Sequence, residues 1–195
     1  MVAPAHRPAT YADLEAVPEH LVAEIIDGVL ETRKPQHPRD GAATASLVGQ
    51  LGSSLDRGGR RNWILMFQPE LHLGAQVVVP VLAGWRRAHM AGQPEAAFTR
   101  TPPNWICELP SSATARLVRG PKRRIYAEAG VEHLWQLDSA AGLLESFTLK
   151  EGAWRLEGIV RRGETVAMSP FEAAPFPLDD LFPFDNPAAP AQPET

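Results

Sequence analysis

Two short apolar runs followed by a basic helical segment constrain this chain more than any other feature. The first run, Gln76-Val77-Val78-Val79-Pro80, is of strand length and closes at a proline, which cannot donate to a sheet ladder. It leads into Val81-Leu82-Ala83-Gly84-Trp85. A further run, Asn104-Trp105-Ile106-Cys107-Glu108-Leu109, carries an acid at the end of an otherwise apolar strand. Residues 115–129 then read as a helix bearing Lys122 and Tyr126. Strands that deliver a carboxylate beside a lysine-bearing helix imply an α/β fold with a polar site at the strand ends.

The flanking sequence is consistent with that class. Thr10 is placed to cap a short helix over Tyr11–Val17, because its hydroxyl can accept a first-turn N–H. Asp27-Gly28 is a strong hairpin signal, so Val22–Ile26 and Val29–Thr32 are predicted to pair antiparallel. Lys34–Arg39 reads as loop, and Ala42–Leu55 has its apolar residues at helical spacing. Trp63–Leu73 reads as one strand meeting Gln76–Val79 at Gly74, and residues 87–101 carry no clear pattern. Short strands are predicted at Leu134–Leu137, Leu143–Leu149, Trp154–Val160 and Val166–Met168, bounded by glycine-containing turns. The expected organisation is a flexible N-terminus (1–9), one domain (10–184) and a disordered Pro/Ala-rich tail (185–195) with nothing to bury.

Composition sets limits on function. A chain of 195 residues, 44% hydrophobic and 22% charged, suits one ordinary globular domain. Its net charge of −4 gives no general attraction to nucleic acid, so any such binding needs a local basic patch. The single cysteine, Cys107, excludes an internal disulfide and a thiolate zinc cluster, and fits a reducing cytoplasm. No apolar run approaches the ~18 residues of a membrane span.

Taken together, several segments resemble the Uma-two family, bacterial proteins labelled restriction endonucleases and assigned to the PD-(D/E)XK nuclease fold. The matching segments are Thr10–Leu14, Glu24-Ile25-Ile26-Asp27-Gly28, Pro69–Gly74, Leu82–Arg87, Cys107-Glu108, Lys122–Ala127 and Val131–Asp138. They run in the family order from Thr10 to about Pro183. The resemblance implies a mixed central sheet flanked by helices, with a C-terminal part rich in β-hairpins. It further implies Mg²⁺-dependent cleavage of DNA, with Glu108 as a metal ligand, Lys122 stabilising developing charge and Glu24 assisting. Mg²⁺ chemistry of this kind needs hard oxygen ligands that polarise a phosphoryl group and activate water.

The same resemblance calls for a carboxylate after the proline matching Pro80, and Val81 stands there instead. A valine cannot coordinate a metal. Gln68, Ser111-Ser112-Ala113, Val118 and Asp40 also depart from the family pattern. The expected site is therefore a degraded or repurposed one, unless Glu70 or Asp40 supplies the missing carboxylate.

Each candidate also has an ordinary structural reading. Glu24 and Glu108 are of a type that forms ion pairs with basic side chains. Lys122 belongs to a run with Arg116, Arg119, Arg123 and Arg124, which is either a solvated helix face or a phosphate-facing patch. Tyr126 is both a family position and a common half-buried helix residue. His72 and His133 read as packing groups, and the five tryptophans as core. Cys107 should point away from Glu108, since neighbours on a strand face opposite sides.

Three functions follow as expectations: a Mg²⁺-dependent nuclease, a non-catalytic descendant that binds nucleic acid or a protein, and a metal-independent enzyme acting on a small molecule. The third predicts an enclosed pocket lined by the aromatics. Pairing as a homodimer through exposed strands or helices is a further expectation.

Overall fold

The computed structural model describes residues 7–57, 62–90, 92 and 94–185. The segments read as a flexible start and a disordered tail fall mainly outside these residues. At the described edges, however, Ala9 N–H donates to the Gly28 carbonyl (2.7 Å) and Asp185 pairs with Arg39 and Arg162.

Helix α1 (Tyr11–Glu15) opens with Thr10 in a reciprocal cap: the Thr10 hydroxyl accepts from Asp13 N–H, and the Asp13 carboxylate accepts from Thr10 N–H. Strands β1 (Val22–Ile26) and β2 (Val29–Arg33) form the predicted hairpin. Both turn residues take positive φ, 53° at Asp27 and 76° at Gly28, the twist a two-residue hairpin requires. The register that follows puts Glu24 opposite Glu31 and Val22 opposite Arg33. Helix α2 (Pro38–Arg57) begins inside the segment read as loop, with Pro38 in the first turn, where its missing N–H costs nothing.

The expected strand Trp63–Leu73 is two strands. Strand β3 (Trp63–Phe67) ends at Gln68, whose φ of 45° turns the chain, and β4 (Glu70–Leu73) follows. Strand β5 (Gln76–Val78) returns antiparallel to β4, and β6 (Leu82–Arg86) returns antiparallel to β3. The result is one bent hairpin whose tip lies in one sheet and whose base lies in another. Gln68 N–H donates to the Val81 carbonyl across the corner (3.0 Å), which fixes residues 79–81 where the two sheets part. In sequence the bend shows only as the short polar interruption Gln68-Pro69-Glu70 between the apolar run Trp63–Phe67 and Leu71 and Leu73.

Strand β7 (Phe98–Thr99) lies parallel to β4, in the segment that shows no pattern in sequence. Strand β8 (Trp105–Glu108) then pairs antiparallel with β6 and parallel with β9 (His133–Asp138). Between β8 and β9 the predicted single helix is broken into α3 (Ala115–Leu117), a π-helical turn over Val118–Lys122, and α4 (Arg123–Glu128). Pro121 is the physical reason: it lacks an N–H and would clash with the carbonyl four residues back, so the turn widens around it. Strands β10 (Leu143–Lys150) and β11 (Ala153–Arg161) form a hairpin on β9, and β12 (Thr165–Val166) pairs with β13 (Phe176–Pro177). A 3₁₀ turn follows at Leu178–Leu181.

The sheets run β2-β1-β5-β4-β7 and β11-β10-β9-β8-β6-β3, each containing one parallel pair. Ala43, Leu47 and Leu51 of α2 cover one face of the six-stranded sheet, packing with Leu82, Trp105, Cys107, Trp135 and the C-terminal Phe171 and Leu181. Phe171 sits edge-on to Trp105 and Trp135 at 5.1 and 5.7 Å between ring centroids. The opposite face packs Trp85, Ile106 and Leu134 against Ile125 and Tyr126 and against Leu71 and Val78 of the five-stranded sheet. Strand β8 thus sends Trp105 and Cys107 to one side and Ile106 and Glu108 to the other.

The crowding between the sheet's large rings is tightest at Gly84. A Cβ there would lie 3.0 Å from Leu65 Cδ2 and 3.1 Å from Trp105 Cε3. Gly84→Ala is expected to destabilise by about 1–3 kcal/mol through overpacking, outweighing the ~0.4–1 kcal/mol gained by stiffening the unfolded chain. Urea unfolding measures this, and an unchanged midpoint would contradict the packing described.

Candidate active site

Glu24, Glu108 and Lys122 come together although 98 residues of sequence separate the first from the last. The β1–β2 register presents Glu24, the end of β8 presents Glu108, and the π-helical turn lowers Lys122 between them. All three are buried, with Lys122 only 2% exposed. Lys122 Nζ lies 2.8 Å from Glu24 Oε1 and 2.8 Å from Glu108 Oε1. It also donates to the Val79 carbonyl at 3.4 Å.

Each of those carboxylate oxygens takes a second donor. Val79 N–H donates to Glu24 Oε1 at 2.7 Å, and Tyr126 Oη donates to Glu108 Oε1 at 2.6 Å. On the far side, Arg33 Nε stands 3.9 Å from Glu24 Oε2, and Arg33 Nη2 donates to the Val79 carbonyl at 3.3 Å. Two carboxylates therefore face two cations in one buried cluster, as the cost of burying unpaired charge demands.

Three groups at this centre, Lys122, Tyr126 and Cys107, hold their protons above their ordinary range. Burial alone would lower the Lys122 pKa, but the charges of Glu108 and Glu24 and their hydrogen bonds outweigh it and raise it above the ordinary 10.5. Burial, and then the Glu108 and Glu24 charges, push the Tyr126 phenol well above 10.0. Burial and Glu108 likewise push the Cys107 thiol well above 9.0.

A cavity of about 490 Å³ opens over the cluster. Glu24, Glu108, Lys122 and Val81 form part of its wall, with Glu31, Arg33, Lys34, His37 and Asp40 on one side and Ser111, Thr114, Leu117 and Val118 on the other. Among the described residues no Phe, Tyr or Trp lines it, unlike the pocket the metal-independent reading calls for, and the tryptophans pack in the two cores as read from sequence. Asp40 reaches this cavity and accepts a hydrogen bond from the Ser139 hydroxyl. Glu70 does not line it: its carboxylate accepts from Tyr11 Oη (2.9 Å) and contacts His72 Nε2 (2.7 Å) elsewhere.

The remaining candidates divide. Tyr126 is fully buried and acts on Glu108 from behind. Arg123 lays its guanidinium 4.0 Å over the Phe147 ring, and its carbonyl accepts from Trp154 Nε1, so it faces the β10–β11 hairpin. Arg116 and Arg119 are exposed beside the cavity-lining Leu117 and Val118. His72 stacks on Phe98 with centroids 3.8 Å apart. Sequence reading did not single out Arg33, Glu31 or the Val79 peptide. The signal for two of them was present, since a two-residue turn at Asp27-Gly28 already places Glu31 opposite Glu24 and Arg33 two residues further on the same face.

The family model described as "Putative restriction endonuclease", Uma2, matches residues 8–176. The chain belongs to the Uma2 family. Among solved structures, it is similar to "a putative nuclease belonging to DUF820 from Anabaena variabilis ATCC 29413", with a TM-score of 0.71 and 15% identity over 90% of this chain and 98% of that one. At that identity the likeness speaks to the fold, which is that of a restriction-endonuclease-like α/β protein. A comparison with curated proteins gives no match. No helix among the described residues is long and apolar enough to cross a membrane.

Uma2 membership brings a divalent ion into question, and the residues present do not fit one. Mg²⁺ takes near-octahedral oxygen ligands, including one or two carboxylates. Here Val81, 4% exposed, contributes an isopropyl group to the core, and the inner oxygens of Glu24 and Glu108 are each occupied by two donors. Among the described residues no three His, Cys, Asp or Glu side chains converge in a metal-binding group.

Two outcomes test this geometry. Glu108→Ala leaves Lys122 and Arg33 to share the single carboxylate of Glu24, one buried positive charge in excess, and should cost about 3–5 kcal/mol in urea unfolding at neutral pH, whereas a loss under 1 kcal/mol would mean the cluster is open to water. The raised values of Cys107, Tyr126 and Lys122 also fix a pH dependence. The unfolded chain releases these protons near 9.0, 10.0 and 10.5 while the folded chain keeps them, so stability should fall as pH rises from about 9 toward 11. Tyr126→Phe should flatten the part of that fall above pH 10, and an unaltered slope would place the phenol outside the cluster.

Proposed function

We propose that this Uma2 protein keeps the nuclease fold and cleft but does not carry out Mg²⁺-dependent phosphodiester hydrolysis, and that the cleft instead binds nucleic acid without cleaving it. The observation that carries the reading is Val81. It occupies the strand-end position where the family resemblance calls for a carboxylate, and it does so beside Glu24, Glu108 and Lys122 at the wall of the cavity. With that ligand gone, the acid pair that remains is already neutralised by Lys122 and Arg33.

Nucleic-acid binding draws its support from Arg116 and Arg119. Both are exposed on the segment that forms one wall of the cavity, where they can meet a phosphate backbone. The rest of the surface gives no help, since the net charge is −4. Binding of this kind is local, dependent on a few cations, and independent of metal.

A second reading has its own observation. A cavity of about 490 Å³ with a buried, hydrogen-bonded acid–lysine cluster in its wall is the size and character of a small-molecule site. In that reading Glu108 and Lys122 would hold or transfer protons to a bound substrate without a metal.

The test pairs plasmid nicking with fluorescence anisotropy on a short duplex, in Mg²⁺, Mn²⁺ or EDTA. The expected result is no nicking in any condition, and binding in EDTA that weakens steeply with salt. Arg116→Ala/Arg119→Ala should weaken that binding at least tenfold and reduce the salt slope by about two, one per lost phosphate contact. Metal-dependent nicking that Glu108→Ala abolishes would overturn the reading in favour of an active nuclease. Absence of DNA binding would favour the small-molecule reading.

A further inference from the structure

We propose that the Lys122 ammonium is the resident cation of this cleft, replacing a divalent ion at the carboxylates rather than assisting one. The inference rests on the reading above and deepens it by naming what excludes the metal.

Three oxygens from three different elements surround Nζ: Glu24 Oε1 and Glu108 Oε1 at 2.8 Å each and the Val79 carbonyl at 3.4 Å. Two carboxylates and a main-chain carbonyl are the donor types that hard cations select. An ammonium, with three donors and no acceptor, matches such a trio in number and polarity. The same oxygens are closed to further ligation. Each carboxylate oxygen has about two acceptor positions, and both are used: Glu24 Oε1 by Lys122 and Val79 N–H, Glu108 Oε1 by Lys122 and Tyr126.

Charge leads to the same conclusion. Glu24 and Glu108 are matched by Lys122 and by Arg33, whose Nε is 3.9 Å from Glu24 Oε2. Adding a dication to a balanced buried cluster would leave two uncompensated positive charges in a poorly solvated space, which is strongly unfavourable. A lysine that served a bound metal would need a carboxylate in excess, and Val81 withholds it. The lysine is also held rigidly, because the π-helical turn at Pro121 fixes Lys122 in register with Glu24 and Glu108.

The experiment is Mn²⁺ titration followed by electron paramagnetic resonance of free Mn²⁺, with thermal unfolding on the same samples. It compares wild type, Lys122→Met, Val81→Asp and Val81→Asp/Lys122→Met. Wild type should show no site below millimolar Mn²⁺ and no rise in Tm. Lys122→Met, which leaves Arg33 to face two carboxylates, should melt early and be rescued by Mn²⁺. Affinity in the double variant should exceed that of Val81→Asp at least tenfold.

Equal affinity in Val81→Asp and the double variant would show that the ammonium does not exclude the ion and would overturn the proposal, while leaving the loss of hydrolysis in wild type intact. Tight Mn²⁺ binding by wild type, with Lys122 in place, would overturn it even if the Met variants fail to fold. Wild-type binding accompanied by nicking would sink the functional reading as well, so the two failures are distinguishable.

Discussion

A single buried ammonium holds the centre of this molecule together. Lys122 Nζ joins β1 through Glu24, β8 through Glu108 and the hairpin corner through the Val79 carbonyl, so three elements from distant parts of the chain meet at one charge. Remove the positive charge and two carboxylates are left with Arg33, 3.9 Å from Glu24, as their remaining cation. Remove either carboxylate and the balance with Arg33 fails. Such clusters contribute less to net stability than to specifying one arrangement, because desolvation offsets most of the Coulombic gain. Here the arrangement specified is the wall of the cleft.

Fold and site are coupled through irregularities more than through regular elements. The bend at Gln68 and residues 79–81 lets one hairpin serve two sheets and brings the Val79 peptide to the cluster from both ends, its N–H on Glu24 and its carbonyl on Lys122 and Arg33. The π-helical turn around Pro121 presents Lys122 toward the strands. Tyr126, one helical turn later, caps the second carboxylate. Each departure from ideal geometry places one donor or acceptor of the cluster.

Much of this was legible in the sequence, and the limits have identifiable causes. The Asp27-Gly28 turn predicted the β1–β2 hairpin and with it the register that sets Glu24 opposite Glu31. The apolar run ending in Glu108 predicted β8, and strand alternation placed Cys107 in the opposite core. What escaped was set by tertiary geometry. The strand over Trp63–Leu73 divides at Gln68 because the chain changes sheets there, a change the sequence marks only by the brief polar interruption Gln68-Pro69-Glu70. The helix over 115–129 was legible as helix, but the widened turn that Pro121 imposes within it was not read. The tryptophans were legible as core, and Trp105, Trp135 and Phe171 do pack on one another there. Arg33 was within reach of the same hairpin register, which sets it diagonally across from Glu24.

The most direct test of the central claim is a crystal structure of the wild-type protein grown or soaked in excess Mn²⁺, with data collected at a wavelength where manganese scatters anomalously. A neutral Glu24–Lys122–Glu108–Arg33 cluster predicts no anomalous peak between the two glutamates, with Lys122 Nζ still within hydrogen-bond distance of both. An anomalous peak ligated by Glu108, with the lysine turned aside, would contradict it.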